Sequence, residues 1–313
     1  MNADTFFFEA SDGARIFCHR WYPESTPRAA IHIAHGMGEH SARYARVAQP
    51  LVEAGYAVLA DDHRGHGRTA VEAGPDCLGD IGAAGWDRVV EDARELNAHL
   101  GDEFPGVPRV LFGHSMGSML SQQYLYRHGD TLDAAVLSGS PGFGGAFGLF
   151  VSHSIARFER WRLGNEGESA LMDKLLFGNA NDPFDAPDAT GFEWLSRDAD
   201  EVRKYVDDPF CGFVLRTGGL CTLFAGAREA RRKSSCARIP TSLPIYVFSG
   251  ADDPVHGELK NLDRLLQRYR EAGIANFEQR FYEGGRHEML NETNRDEVTA
   301  DLLAWLDRRF PEG

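Results

Sequence analysis

The stretch Leu111–Leu120, LFGHSMGSML, sets one serine, Ser115, between Gly113 and Gly117. An apolar run precedes it and a helix-forming run follows. A serine at such a junction stands on a sharp strand-to-helix turn, at the carboxyl end of a sheet. Glycines two residues away on either side leave room where a side chain would collide with a neighbouring element. The helix that follows points its free N–H groups at the same place, where they favour negative charge. The spacing alone is a weak signal, so the flanking chain has to supply the context.

Upstream, TFFFEA and ARIFCHRWY alternate around the turn signal SDG and predict a starting hairpin. AAIHIAHG predicts a short buried strand ending in glycine. ARVAQPLVEAG has a helical pattern with Gly55 as its stop, and YAVLADDHRGHG is a strand running into a glycine-rich loop. WDRVVEDARELNAHL places its apolar residues at helical spacing. RVLFGH, MGSMLSQQYLYRH and LDAAVLSGS continue as strand, helix and strand. This alternation predicts an α/β fold, a mostly parallel sheet with helices on both faces. The rhythm breaks over residues 141–238, which hold helical pieces and no clear strand. It resumes at LPIYVFSG and NFEQRFYEGG and ends in the helical RDEVTADLLAWLDRRF. One sheet domain, residues 1–140 and 239–313, is therefore expected to be interrupted by a helical insertion.

A nucleophilic serine needs a base, and the base needs an acid to hold its tautomer. In this architecture the chain order is serine, acid, histidine, each at a strand end. YVFSGADDPV offers Asp252 and Asp253 just past a strand, and FYEGGRHEML offers His287 past the last one. An oxyanion hole needs backbone donors. The N–H of Met116, next after the serine, is one candidate. The N–H of Met37, in the loop HGMGEH after the third strand, is the other, and Gly36 and Gly38 let that loop approach a carbonyl closely.

HGMGEHSARY, DHRGHGRT, GHSMG, the G-x-x-D of GADDPV and GGRHEMLNE together resemble the monoacylglycerol lipase and lysophospholipase-like branch of the α/β-hydrolases, grouped with the serine aminopeptidase type. The matches spread from about residue 30 to 292, while the insertion matches little. The resemblance implies an eight-stranded α/β-hydrolase core, a helical cap over residues 141–238, a Ser–Asp–His triad and ester hydrolysis without a cofactor. Its spacing puts the acid three residues after glycine, at Asp253, with Asp252 a solvated neighbour. The expected substrate is a small lipid-like ester with a single acyl chain, monoacylglycerol first and lysophospholipid second.

Composition narrows the alternatives. Basic residues number 33 and acidic ones 47, a formal net charge of −14, and an acidic surface repels nucleic-acid phosphates. Cys18, Cys77, Cys211, Cys221 and Cys236 show no paired spacing, which reads as reduced thiols in a cytoplasmic protein. The N-terminal residues lack a basic region followed by an apolar one, so no signal peptide is expected. Ala134–Ala156 carries no charged residue, but its five glycines, four serines and Pro141 read as a strand and a loop rather than a membrane span. The basic runs ARFERWR and AREARRKSSCAR read as solvated helix faces, with transient contact to an anionic membrane surface through the cap as the alternative.

His32, His35, His40, His63 and His66 invite a zinc reading, but they lie in two loops without helical ligand spacing. Hydrogen bonds that brace the loops account for them better, and no metal is expected. HGMG lacks the spacing of a phosphate loop. In the insertion Phe143, Phe147, Leu149, Phe150, Ile155 and Phe158 are expected to line an acyl-chain channel. Two rival functions stay open. Amide cleavage at a peptide N-terminus would need an acidic group for the free amine. A binding protein without turnover is opposed by the complete set of serine, acid and histidine. The sequence leaves the oligomeric state open.

Overall fold

The computed structural model describes residues 2–257 and 259–312. Eight strands form one sheet: β1 (Asn2–Glu9), β2 (Arg15–Tyr22), β3 (Ala30–Ala34), β4 (Ala57–Asp61), β5 (Arg109–His114), β6 (Ala134–Ser138), β7 (Ile245–Gly250) and β8 (Phe277–Tyr282). Their order is β1-β2-β4-β3-β5-β6-β7-β8. Only the pairs made by β2 are antiparallel; every pair from β4 to β8 is parallel. β3, β4, β6 and β7 are buried at every position, as a parallel strand covered on both faces must be. β1 and β8, at the two edges, keep exposed positions.

Eleven helices are described: α1 (Ala45–Glu53), α2 (Gly67–Ala73), α3 (Gly85–Glu103), α4 (Met116–His128), α5 (Ala146–Leu163), α6 (Ala170–Phe177), α7 (Ala199–Asp207), α8 (Thr217–Ala230), α9 (Lys233–Cys236), α10 (Lys260–Glu271) and α11 (Arg295–Arg309). The two-residue period of the strands sorts side chains to two cores. Val110 and Phe112 of β5 join Val47 and Leu51 of α1 and Leu302 and Trp305 of α11 on one face. Leu111, between them, points the other way, to Trp86 of α3, Leu120 of α4 and Leu265 of α10.

Between β6 and β7 the chain forms α5–α9 and, among the described residues, no strand. It leaves the sheet at the carboxyl end of β6 and returns to the amino end of the neighbouring parallel strand β7. In open parallel sheets the carboxyl end is the edge where ligands bind. Among the described residues no helix is long and apolar enough to cross a membrane.

Candidate active site

Ser115 directly follows β5 and has φ 52°, ψ −114°, a left-handed conformation rare for a residue with a side chain. Such a backbone costs on the order of 1–3 kcal/mol and persists only where its surroundings hold it. The flanking glycines are part of that hold. A Cβ at Gly117 would run into the Ala34 and His35 carbonyls at the end of β3, and one at Gly113 would run into Gly117 and Ser121. The Ser115 N–H donates to the Ser138 carbonyl of β6 at 2.9 Å, fixing the turn from the other side.

The Ser115 hydroxyl lies 2.9 Å from His287 Nε2, and His287 Nδ1 lies 2.8 Å from Asp253 Oδ2. Asp253 follows β7 and His287 follows β8, so three strand ends bring together residues up to 172 positions apart. Asp253 is buried, and its other oxygen accepts the Val255 N–H at 2.9 Å. Burial by itself raises the Asp253 carboxyl, but the charge and hydrogen bond of His287 outweigh it and leave the group below its ordinary value. Burial likewise depresses His287, yet Asp253 prevails and raises the imidazole above its ordinary value. An ionised Asp253 only accepts, so His287 donates from Nδ1 and presents Nε2 to the serine. Asp252, one residue away, is exposed and takes no part.

Met37 and Met116 border the same space. Neither main-chain N–H makes a hydrogen bond among the described residues. Gly36 brings the Met37 loop against the serine, since a Cβ there would stand 3.2 Å from that of Ser115. The loop has a buried brace that the sequence did not announce. Glu39 accepts the Gly36 N–H at 2.6 Å and an Arg43 bond at 2.6 Å, and Arg43 also grips both oxygens of Glu288 at 2.7 and 2.6 Å. Burial raises Glu288, but Arg43 carries it down to about 2. Arg43 thereby ties the Met37 loop to the residue next to His287. The only hint in the sequence was three charged residues inside otherwise glycine- and histidine-rich motifs.

Of the histidines expected in loops, His32 stands in β3 instead, and it shares Asp61 with His63 at 2.8 and 2.7 Å; His35 Nε2 accepts the His63 N–H at 3.0 Å. His114 stands with its ring centroid 5.0 Å from that of His287; burial first, and then the His287 charge, holds it down to about 4.

Two cavities meet at Ser115 and Met37. One, of about 490 Å³, is lined by His287, Tyr205, Asn181, Asp173, Phe177 and Trp194. The other, of about 480 Å³, is lined by Met116, Met119, Phe143, Leu149, Leu176 and Phe224. Of the six insertion residues expected in a channel wall, Phe143 and Leu149 are there. Ile155 packs into the core between helices. Phe147, Phe150 and Phe158 are 79%, 53% and 53% exposed, on the outer side of α5. The channel expectation fails for these four because apolar character does not say which way a helix is turned. The buried side of α5 is set by Ala156 and Glu159.

The sheet order, the strained serine turn and the three strand-end residues define an α/β-hydrolase. Residues 25–294 match the family described as serine aminopeptidase, S33, and the chain belongs to that family. It is similar to monoglyceride lipase of Mus musculus, 35% identical over 96% of this chain and 89% of that protein. Monoacylglycerol lipase of Mycolicibacterium smegmatis is 29% identical, over 96% of this chain and 95% of that one. Among solved structures, a thermostable carboxyl esterase from Bacillus coagulans in complex with glycerol superposes with a TM-score of 0.89 at 27% identity, covering 99% of both chains. The chain is an ester hydrolase of the monoacylglycerol lipase-like branch.

Proposed function

We propose that this chain is a cytoplasmic serine hydrolase of single-chain acyl esters, with monoacylglycerols its first substrate class and lysophospholipids its second. Residues 141–238 act as a cap on a core of residues 1–140 and 239–313. The observation that carries the reading is the unbroken relay from the Ser115 hydroxyl through His287 to Asp253, at 2.9 and 2.8 Å, at the meeting point of two cavities. Ser115 attacks the acyl carbonyl while His287 takes its proton. Asp253 orients the imidazole and offsets its charge. The N–H groups of Met37 and Met116 receive the negative oxygen. His287 then protonates the leaving alcohol, and water, activated by the same histidine, releases the acid.

The lining of the two cavities gives the substrate a direction. His287 borders only the cavity with Asp173, Asn181 and Tyr205, so the alcohol it protonates leaves there. Met116 borders only the cavity walled by Met119, Phe143, Leu149 and Phe224, which suits the acyl chain. The relatives named for monoacylglycerol, and the esterase that holds glycerol, support an alcohol of glycerol's size. The exposed Phe147, Phe150, Phe158 and Trp161 of α5, flanked by Arg157 and Arg162, suit transient contact with an anionic membrane surface. A bounded acyl cavity has an optimum, since each buried methylene adds about 0.8 kcal/mol until the space is full. We therefore expect kcat/KM on glycerol esters to rise with acyl length to a maximum and then fall, and monoglycerides to be cleaved faster than triglycerides. A preference confined to acetyl esters, or faster triglyceride cleavage, would overturn the single-chain reading.

A further inference from the structure

The turn after α7 folds back on the loop that carries Met37. Asp208 accepts the Phe210 N–H at 2.8 Å through one oxygen, and the Cys211 N–H donates to the Asp208 carbonyl at 3.0 Å. This tight turn brings the Cys211 thiol back toward the Asp208 carboxylate. From a place 168 positions earlier in the chain, His40 meets the other Asp208 oxygen at 2.9 Å. One ligand atom from each of His40, Asp208 and Cys211 lies within 4.8 Å of the others. Just beside them the Gly212 N–H donates to the Gly38 carbonyl at 3.0 Å, so the two segments are already in register. A Cβ at Gly38, whose φ is +64°, would run into the Phe213 carbonyl.

We propose that His40, Asp208 and Cys211 form a zinc site with a fourth position open to water, fastening the Met37 loop to the turn after α7. A thiol, an imidazole and a carboxylate suit zinc, whereas magnesium and calcium call for oxygen ligands. Tetrahedral bonds of about 2.0–2.3 Å set ligand atoms roughly 3.3–3.6 Å apart, so the His40–Asp208 pair opens slightly and the thiol closes by about an ångström, a side-chain adjustment. His40 and Asp208 are 13% and 27% exposed, which leaves a route in for the ion. The surrounding charge favours a cation, because Arg43, whose charge reaches Cys211, is already held by Glu39 and Glu288. On binding, Cys211 releases its proton to solvent and His40 moves its own to the nitrogen that does not face the metal. The thiol has no disulfide partner. Nothing in the sequence separates His40 from the loop-bracing histidines, because neither Asp208 nor Cys211 is near it in the chain. The site stands apart from the ester chemistry, and its test does not use activity.

Cobalt(II), which takes zinc's place and is coloured, reads the sulfur ligand directly. Chelator-treated full-length protein titrated with cobalt(II) should saturate at one equivalent with a thiolate-to-cobalt charge-transfer band. Cys211→Ser should lack the band. Asp208→Asn, which keeps the thiol, should bind at least ~10-fold more weakly, the loss seen when even a ligand's supporting partner is removed. Zinc should raise the Tm of the wild type and not that of Cys211→Ser. No band in the wild type, a band retained by Cys211→Ser, or undiminished binding by a folded Asp208→Asn would overturn the site.

Discussion

Two parts of the helical segment between β6 and β7, its middle and its first helix, differ sharply in how they meet the rest of the molecule. Residues 193–198 are stitched to the loop that carries His287. The His287 and Glu288 N–H groups donate to the Trp194 and Leu195 carbonyls at 3.3 and 2.8 Å. Ser196 donates to the Asn291 carbonyl at 2.9 Å, Arg286 donates to the Glu193 carbonyl at 2.6 Å, and Arg197 pairs with the fully buried Glu292 at 2.9 Å. α5 does the opposite. It packs on α8 through its inner side and leaves Phe147 and Trp161 each 79% exposed. The middle contributes backbone partners to the loop of His287, and rigidity there keeps His287 in reach of the serine. The first helix presents apolar area to whatever lies outside, and water is a poor partner for it. A segment that looks uniform as a run of helices thus contains a fixed wall and an outward face.

The contrast matters only if the relay it frames is the catalytic one, and the largest expected effect tests that. Ser115→Ala should lower kcat by about 10⁵-fold or more while the Tm stays at the wild-type value, because the hydroxyl packs against little. Activity within a few-fold of wild type would remove the premise. Next, Asp253→Asn should cost roughly 10³–10⁴-fold, since an amide favours the wrong tautomer of His287, and the exposed Asp252→Asn should stay within about twofold. Comparing kcat for the two variants decides which carboxylate holds the base.

The pH dependence is a smaller effect. His287 must be neutral to take the serine proton, and Asp253 raises its pKa above the ordinary value of about 6.5. The acid limb of kcat/KM should therefore bend above that value and fall about tenfold per pH unit below it. A limb centred below the ordinary value would contradict the Asp253 effect. The comparison itself is sharpened by the smallest changes. Arg197→Ala, which leaves Glu292 buried with only N–H and hydroxyl partners, should destabilise the fold by roughly 1–3 kcal/mol. Phe147→Ser with Trp161→Ser should change stability by no more than about 0.5 kcal/mol, yet weaken binding to anionic phospholipid vesicles several-fold. Denaturation midpoints and vesicle sedimentation read the two, and equal destabilisation by both variants would erase the distinction.

Much of this was legible in the sequence because it is written in local pattern. Apolar runs bounded by turns marked β3 to β7, and helical spacing marked α1, α3 and α11. Ser115, Asp253 and His287 could be named because each sits where a strand pattern ends, in an order that the architecture requires. The left-handed turn at Ser115 was implied by Gly113 and Gly117, whose missing side chains are the condition for the close approach of β3 and the helix after β5.

Tertiary structure alone decided what depends on which distant residues meet. The Glu39–Arg43–Glu288 brace joins positions 245 apart through Arg43, and no local pattern pairs a charge with its partner. The outward turn of Phe147, Phe150 and Phe158 was equally hidden. Periodicity shows that a helix has faces, but which face is buried depends on the neighbour it packs against, here α8. The choice of Asp253 over Asp252, which the sequence reading made by resemblance, acquires its physical reason only in three dimensions. Both follow the same strand, and burial beside His287 against exposure to solvent separates them.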